Sequence, residues 1–86
     1  MISFEIYKNL TQVRQAEMLL EFGVYLELER QKVQLNIELF ALDDFYVEVY
    51  FDKISEEPLF IRAFSSVQEL EPYLPLIEID AIFEIN

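Results

Sequence analysis

The side chains with chemical capability are seventeen Asp and Glu, six Lys and Arg, and five Tyr; the 86-residue chain has no His and no Cys. Without imidazole or thiol there is no Ser-His or Cys-His nucleophile, no disulfide and no zinc finger. Catalysis would fall to carboxylates and phenols, and their spacing does not favour it. Asp43 and Asp44 are adjacent, but between two alternating stretches they read as turn residues, which Asp serves by tolerating unusual backbone angles. Nothing around them follows the Asp-x-Asp-x-Asp-Gly spacing of a calcium loop. Glu48 and Asp52 share a strand face at a separation of about 13 Å, too far to share a proton or a cation. Ser65-Ser66 has neither a histidine base nor a glycine-flanked elbow and reads as a helix cap. A single Gly excludes glycine-rich phosphate loops. No catalytic, cofactor-binding or metal-ligating residue is nominated, no cofactor is expected, and the expectation is a protein that is not an enzyme.

The feature that stands out is a mixture of rings and charges. Tyr25, Phe40, Tyr46, Tyr50, Phe60 and Phe64 alternate with aliphatic residues and fall in phase with Glu27, Glu29, Glu38, Glu48, Asp52 and Arg62. Aromatic sheet surfaces also stack RNA bases, but they hold phosphates with Lys and Arg. Here the neighbours are carboxylates, and a net charge of -11 repels phosphate backbones and anionic headgroups alike. Neither a nucleic acid nor a membrane is an expected partner. Two bland outcomes are that the C-terminal segment folds over these rings or that two copies pair through them. The functional alternative is a tyrosine-rich acidic patch that docks a basic protein, tyrosine being favoured at interface hot spots. Its nominated residues are Tyr25, Phe40, Tyr46, Glu48, Tyr50, Asp52, Phe60 and Arg62. Arg62 is expected to pair across strands with Glu48 or Asp52, or to stack on a ring.

The elements that must position these residues follow from period and punctuation. Residues 9–22 carry a helical pattern with Asn9 as cap, Gln12 reaching back and Gly23 after the last turn. Leu10, Val13, Ala16 and Leu20, with Ile6, make the stripe expected to face the core. Residues 1–7 fit either a helix or a short strand. From Val24 the period drops to two, giving strands that begin at Val24, Val33, Phe45 and Leu59, separated by Gln31-Lys32, Asp43-Asp44 and the polar stretch Lys53–Pro58. Short polar connections favour an antiparallel meander with the N-terminal helix on its aliphatic face. Ser65-Ser66 then caps a short helix from Val67, limited by Pro72 and Pro75, and 76–85 alternates as a strand or an irregular tail. The expected fold class is α+β, in the order α-β-β-β-β-α, as a single small domain spanning 1–86.

Composition agrees. At 53% hydrophobic and 27% charged, the chain can build one core and no second domain. The last 22 residues carry five acids and no base, so the C-terminal end is the acidic pole. The start Met1-Ile2-Ser3-Phe4-Glu5 has no basic region before an apolar run, and acids break every apolar stretch well short of the roughly 20 residues of a membrane span. A cytoplasmic location is expected. The preferred function is a non-catalytic regulatory or adaptor module binding a basic partner surface. The alternatives are a homodimeric structural module and, further off, a carboxylate or magnesium-dependent enzyme.

Overall fold

The structure is a computed structural model describing residues 1–77. Two helices, α1 (Phe4–Lys8) and α2 (Gln12–Phe22), precede a four-stranded antiparallel meander in the order β1 (Val24–Lys32), β2 (Leu35–Leu42), β3 (Phe45–Asp52), β4 (Pro58–Phe64). A 3-10 helix, Val67–Leu76, follows. The expected α+β class and meander are present; the alternation beyond Ile77 lies outside the described residues.

The N-terminal segment is helical and divided. Ser3 caps α1 by accepting from the Ile6 amide, and Thr11 caps α2 by accepting from the Arg14 amide. Asn9, expected to start the long helix, instead ends α1, its amide donating to the Ile6 carbonyl and the Leu10 amide to that of Tyr7. The buried stripe of α2 also differs from the expected one: Val13 is 70% exposed and Leu20 is 89% exposed, while Gln15 and Leu19 are buried. A reciprocal pair of bonds turns the helix this way. The Tyr7 hydroxyl donates to the Gln15 carbonyl (2.7 Å), and Gln15 Nε2 donates to the Tyr7 carbonyl (2.9 Å). Both residues are buried, so each polar group needs the other. Burial pushes the Tyr7 hydroxyl up to about 12.

Gly23 follows α2 as expected, for a steric reason. Its φ of -73° suits any residue, but a Cβ there would lie 2.6 Å from both the Leu19 carbonyl oxygen and Leu19 Cδ1. The close approach lets the chain leave the helix directly into β1.

Register decides which side chains share a face. The β1–β2 turn is Val33-Gln34, two residues later than the expected Gln31-Lys32, with Lys32 opposite Leu35. The β2–β3 turn is Asp43-Asp44, so Leu42 opposes Phe45 and Phe40 opposes Val47. Asp43 takes φ 52° and accepts the Ile2 amide at 2.7 Å, tying the N-terminus to the turn. Because a two-residue turn pairs even positions of β2 with odd positions of β3, the aliphatics of β1–β2 and of β3–β4 lie on opposite sides of the sheet. Phe45, Val47 and Val49 face the helices, clustering with Tyr7, Leu19 and Leu42. Leu28 and Leu39 oppose each other on the other side, in a cluster with Leu26, Phe64, Leu70 and Tyr73.

The free edge of β4 is capped from α2. Gln12 Oε1 accepts the Ile61 amide at 2.7 Å and Gln12 Nε2 donates to the Ile61 carbonyl at 3.2 Å, an amide side chain standing in for a neighbouring strand. At the other edge β1 bulges between Tyr25 and Leu28, with Glu27 at φ 59°.

Candidate functional site

The nominated aromatic and acidic residues do not form one face. The register places Tyr25 opposite Phe40 on the helix side, in step with Val47, and places Tyr46, Glu48, Tyr50, Phe60 and Arg62 on the other side, Asp52 following them in alternation. The expectation of a single continuous front is thereby corrected: of its six rings, Tyr25 and Phe40 lie on the helix side and Tyr46, Tyr50, Phe60 and Phe64 on the other. The rings pair within each side. Tyr25 lies 5.1 Å from Phe40, Tyr46 lies 5.6 Å from Phe64, and Tyr50 stacks on Phe60 at 4.2 Å.

On the side away from the helices the polar residues are spent inside the molecule. Glu48 is completely buried. Its carboxylate accepts from Arg62 (Nε, 3.1 Å) and the Tyr50 hydroxyl (3.1 Å) on one oxygen, and from Arg30 (3.1 Å) and the Tyr73 hydroxyl on the other. Register aligns Leu39, Glu48 and Arg62 across three strands, and Arg30 lies one strand further out, opposite Ile37. Burial pushes the Glu48 carboxyl up, but the Tyr73 hydroxyl and the two guanidinium groups outweigh it and hold it below its ordinary value. Burial also raises the Tyr73 hydroxyl, reinforced by its bond to Glu48.

The 3-10 helix closes this side. Ser66 caps it by accepting from the Gln68 amide, and it runs through Pro72 and Pro75 rather than stopping at them. Runs of this helix type beyond three or four residues are uncommon because the hydrogen-bond geometry is poor, so tertiary contacts must hold it. They are buried Tyr73, half-buried Leu70 and the Arg62–Glu69 ion pair at 2.8 Å. Arg30 lies over the Tyr73 ring at 5.4 Å. Of the nominated residues, Glu48 and Tyr50 are buried here, Tyr46, Asp52 and Arg62 are half-buried, and Phe60 is exposed at the β4 edge. Arg62 does pair with Glu48, as the sequence indicates. Arg30 and Tyr73 were not anticipated as its companions. The signal for Arg30 was a cation in phase with Leu26 and Leu28, on an otherwise apolar row.

On the helix side α1 and α2 contact β4, and α2 runs from Gln12, bonded to Ile61 of β4, to Gly23, which leads directly into β1. Beside α2 a hollow of about 250 Å³ remains, floored by Phe40, Val49, Phe51 and Ile61 and walled by Ala16, Leu19, Leu20 and Pro58. Phe51 also lines a second hollow, of about 180 Å³, with Glu29, Asn36, Glu38 and Glu56. Tyr25, beside Phe40, is 41% exposed. Burial raises the Glu38 carboxyl, and Glu29 directly opposite raises it further. Asn36 Oδ1 is buried without a hydrogen-bond partner among the described residues.

Among the described residues no group of three or more Asp and Glu is arranged to hold a metal ion, and no helix is long and apolar enough to cross a membrane. Compared with known proteins, the chain matches no family model, no curated protein and no solved structure.

Proposed function

We propose that this chain is a non-catalytic interaction module that docks a basic partner on its helix side, over the two hollows that share Phe51. One observation carries the reading: an apolar hollow over Phe40 and Phe51 shares Phe51 with a hollow lined by three carboxylates, and none of the described residues fills either. Apolar floor supplies the contact energy of an interface centre, and a ring of one charge sign steers and selects the partner. The partner side needs apolar groups beside Lys or Arg. The face away from the helices offers less, because Glu48 is already matched by Arg30 and Arg62 and the Tyr46 and Phe64 rings pack against the 3-10 helix. The docking surface therefore keeps Tyr25 and Phe40 from the nominated set and adds Phe51, Glu29, Glu38 and Glu56.

Amide-resolved NMR titration with an unstructured Lys- and Arg-rich peptide tests this. The expected result is shifts confined to Glu29, Glu38, Glu56 and their neighbours, diminishing as salt rises from about 0.05 to about 0.5 M, where the screening length shortens severalfold. Shifts scattered over all acidic residues, or none, overturn it.

A further inference from the structure

The 3-10 helix is held to the sheet by few groups, and its polar ties are of one kind. Leu70 and Tyr73 reach the apolar cluster of Leu26, Leu28, Leu39 and Phe64, while the other residues of Val67–Leu76 are exposed. Both polar ties end on a carboxylate: the Tyr73 hydroxyl donates to Glu48, and Glu69 accepts from Arg62 at 2.8 Å. The helix has no Lys or Arg of its own. A run of this type and length, with two prolines inside it, does not stand without such contacts.

The rest of the fold rests on other interactions. A backbone ladder joins all four strands, and the helix side has its own apolar cluster around Tyr7, Leu19, Leu42, Phe45, Val47 and Val49. Loss of negative charge at Glu48 and Glu69 therefore acts first on the 3-10 helix.

The surroundings of Glu48 set the direction. It meets Arg30 from β1, Leu39 from β2, Tyr50 from its own strand, Arg62 from β4 and Tyr73 from the 3-10 helix, with Glu69 behind Arg62. As a carboxylate it accepts from four donors. As an acid it carries a proton where one of them now donates, and it leaves Arg30 without an anion among the described residues. Burial raises the carboxyl, but these donors outweigh burial and leave it depressed. By linkage, each unit of that depression makes opening about tenfold easier once the group is protonated.

We infer that the 3-10 helix Val67–Leu76 is an acid-released strap: it is closed while Glu48 is ionised and lifts as a unit, with the sheet and the helix side still folded, when Glu48 takes a proton. Lifting parts the Tyr73 ring from Leu39 and Phe64. The device lies on the opposite side of the sheet from the docking surface and does not depend on it.

The full chain is followed by methyl NMR from about pH 7 to about pH 2.5, a window that spans the depressed carboxyl. Leu28, Leu39 and Leu70 report the strap side, and Leu19, Leu42 and Val47 report the helix side. Amide protection factors at Glu69–Leu74 are read against those of β3. The strap methyls should shift, and protection at Glu69–Leu74 should fall at least about tenfold, the weight of one hydrogen bond to a charged group, at a pH where the helix-side methyls and β3 are unchanged. Glu48→Gln should show the lowered strap protection already at pH 7. Glu69→Gln should lower it less and keep the acid transition, and Glu38→Gln should change neither. Should Glu48→Gln not fold, Tyr73→Phe asks the same question, since it removes the tie and should shrink the acid response. Both methyl sets moving together at one pH make the transition global unfolding and overturn the strap. An acid response retained in full in Glu48→Gln or Tyr73→Phe overturns Glu48 as the trigger, and unchanged strap protection down to about pH 2.5 overturns the proposal as a whole.

Discussion

The two sides of this sheet are built from the same residue types and end in opposite states. Away from the helices, an acid, two arginines and two tyrosines close into a buried network under the 3-10 helix. On the helix side, three acids and the Phe51 ring border a hollow that nothing in the described chain fills. A carboxylate on one side is stabilised by cations from its own chain; on the other side it has only like charges beside it. The consequence is a division of labour, with one side holding the fold together and the other the proposed docking side for a partner that brings positive charge.

The largest test of this division is Glu48→Ala. Removing one member of a buried ion pair strands the others, and a loss of about 3–5 kcal/mol in urea unfolding is expected. If the loss is below about 1 kcal/mol, the value of an exposed pair, the network is not the clasp described here. Tyr73→Phe keeps the ring and removes one bond to a buried charge, for an expected loss of about 1–3 kcal/mol. It should also free the 3-10 helix, read as faster amide exchange at Glu69–Leu74 than in β3.

Acid titration contrasts the sides by sign. The folded-state pKa of Glu48 is depressed, so its contribution is fully present above the ordinary carboxyl value near 4.3 and is lost as pH falls through the folded value. Glu38 is raised, by burial first and Glu29 second. Its ionisation therefore costs stability at neutral pH, and protonation relieves that cost as pH falls through the raised value. Against the wild type, Glu48→Gln should flatten the acid-side decline in stability and Glu38→Gln should steepen it. Denaturation followed between about pH 7 and pH 3 decides this, and the same slope change in both variants would contradict it.

Smaller effects separate packing from surface. Gln12→Ala exposes the backbone of Ile61 and should cost about 1 kcal/mol, with faster exchange of the Ile61 amide. Leu20→Asp on the exposed flank of α2 should change stability by less than about 0.5 kcal/mol, because none of the described residues packs over it. A substantially larger loss would mean the flank is already covered.

How far the sequence carries depends on the scale asked of it. Period-two alternation from Val24 to Phe64 and the turn residues Asp43-Asp44 were enough for the meander, and Ser66 and Gly23 were legible as a cap and a helix exit. The phase between strands was not taken from them, although the two-residue turn at Asp43-Asp44 already implies it: once Leu42 opposes Phe45, Phe40 must share a side with Val47. Treating all aliphatics as one layer merged two faces and put Tyr25 and Phe40 with Tyr46 and Tyr50. The helix stripe was misphased because hydrophobicity alone ranks Val13 and Leu20 above Gln15, whereas the Tyr7–Gln15 bonds decide the rotation. Three-dimensional partnership of that kind has no local signature.

One titration bears most directly on the comparison of the two sides: amide and methyl NMR shifts of the folded chain with the Lys- and Arg-rich peptide. The account predicts shifts at Phe40, Glu38, Phe51 and Leu20 with Phe64, Leu39 and Tyr73 unmoved. Shifts centred on those last three residues, with the helix side silent, would contradict it.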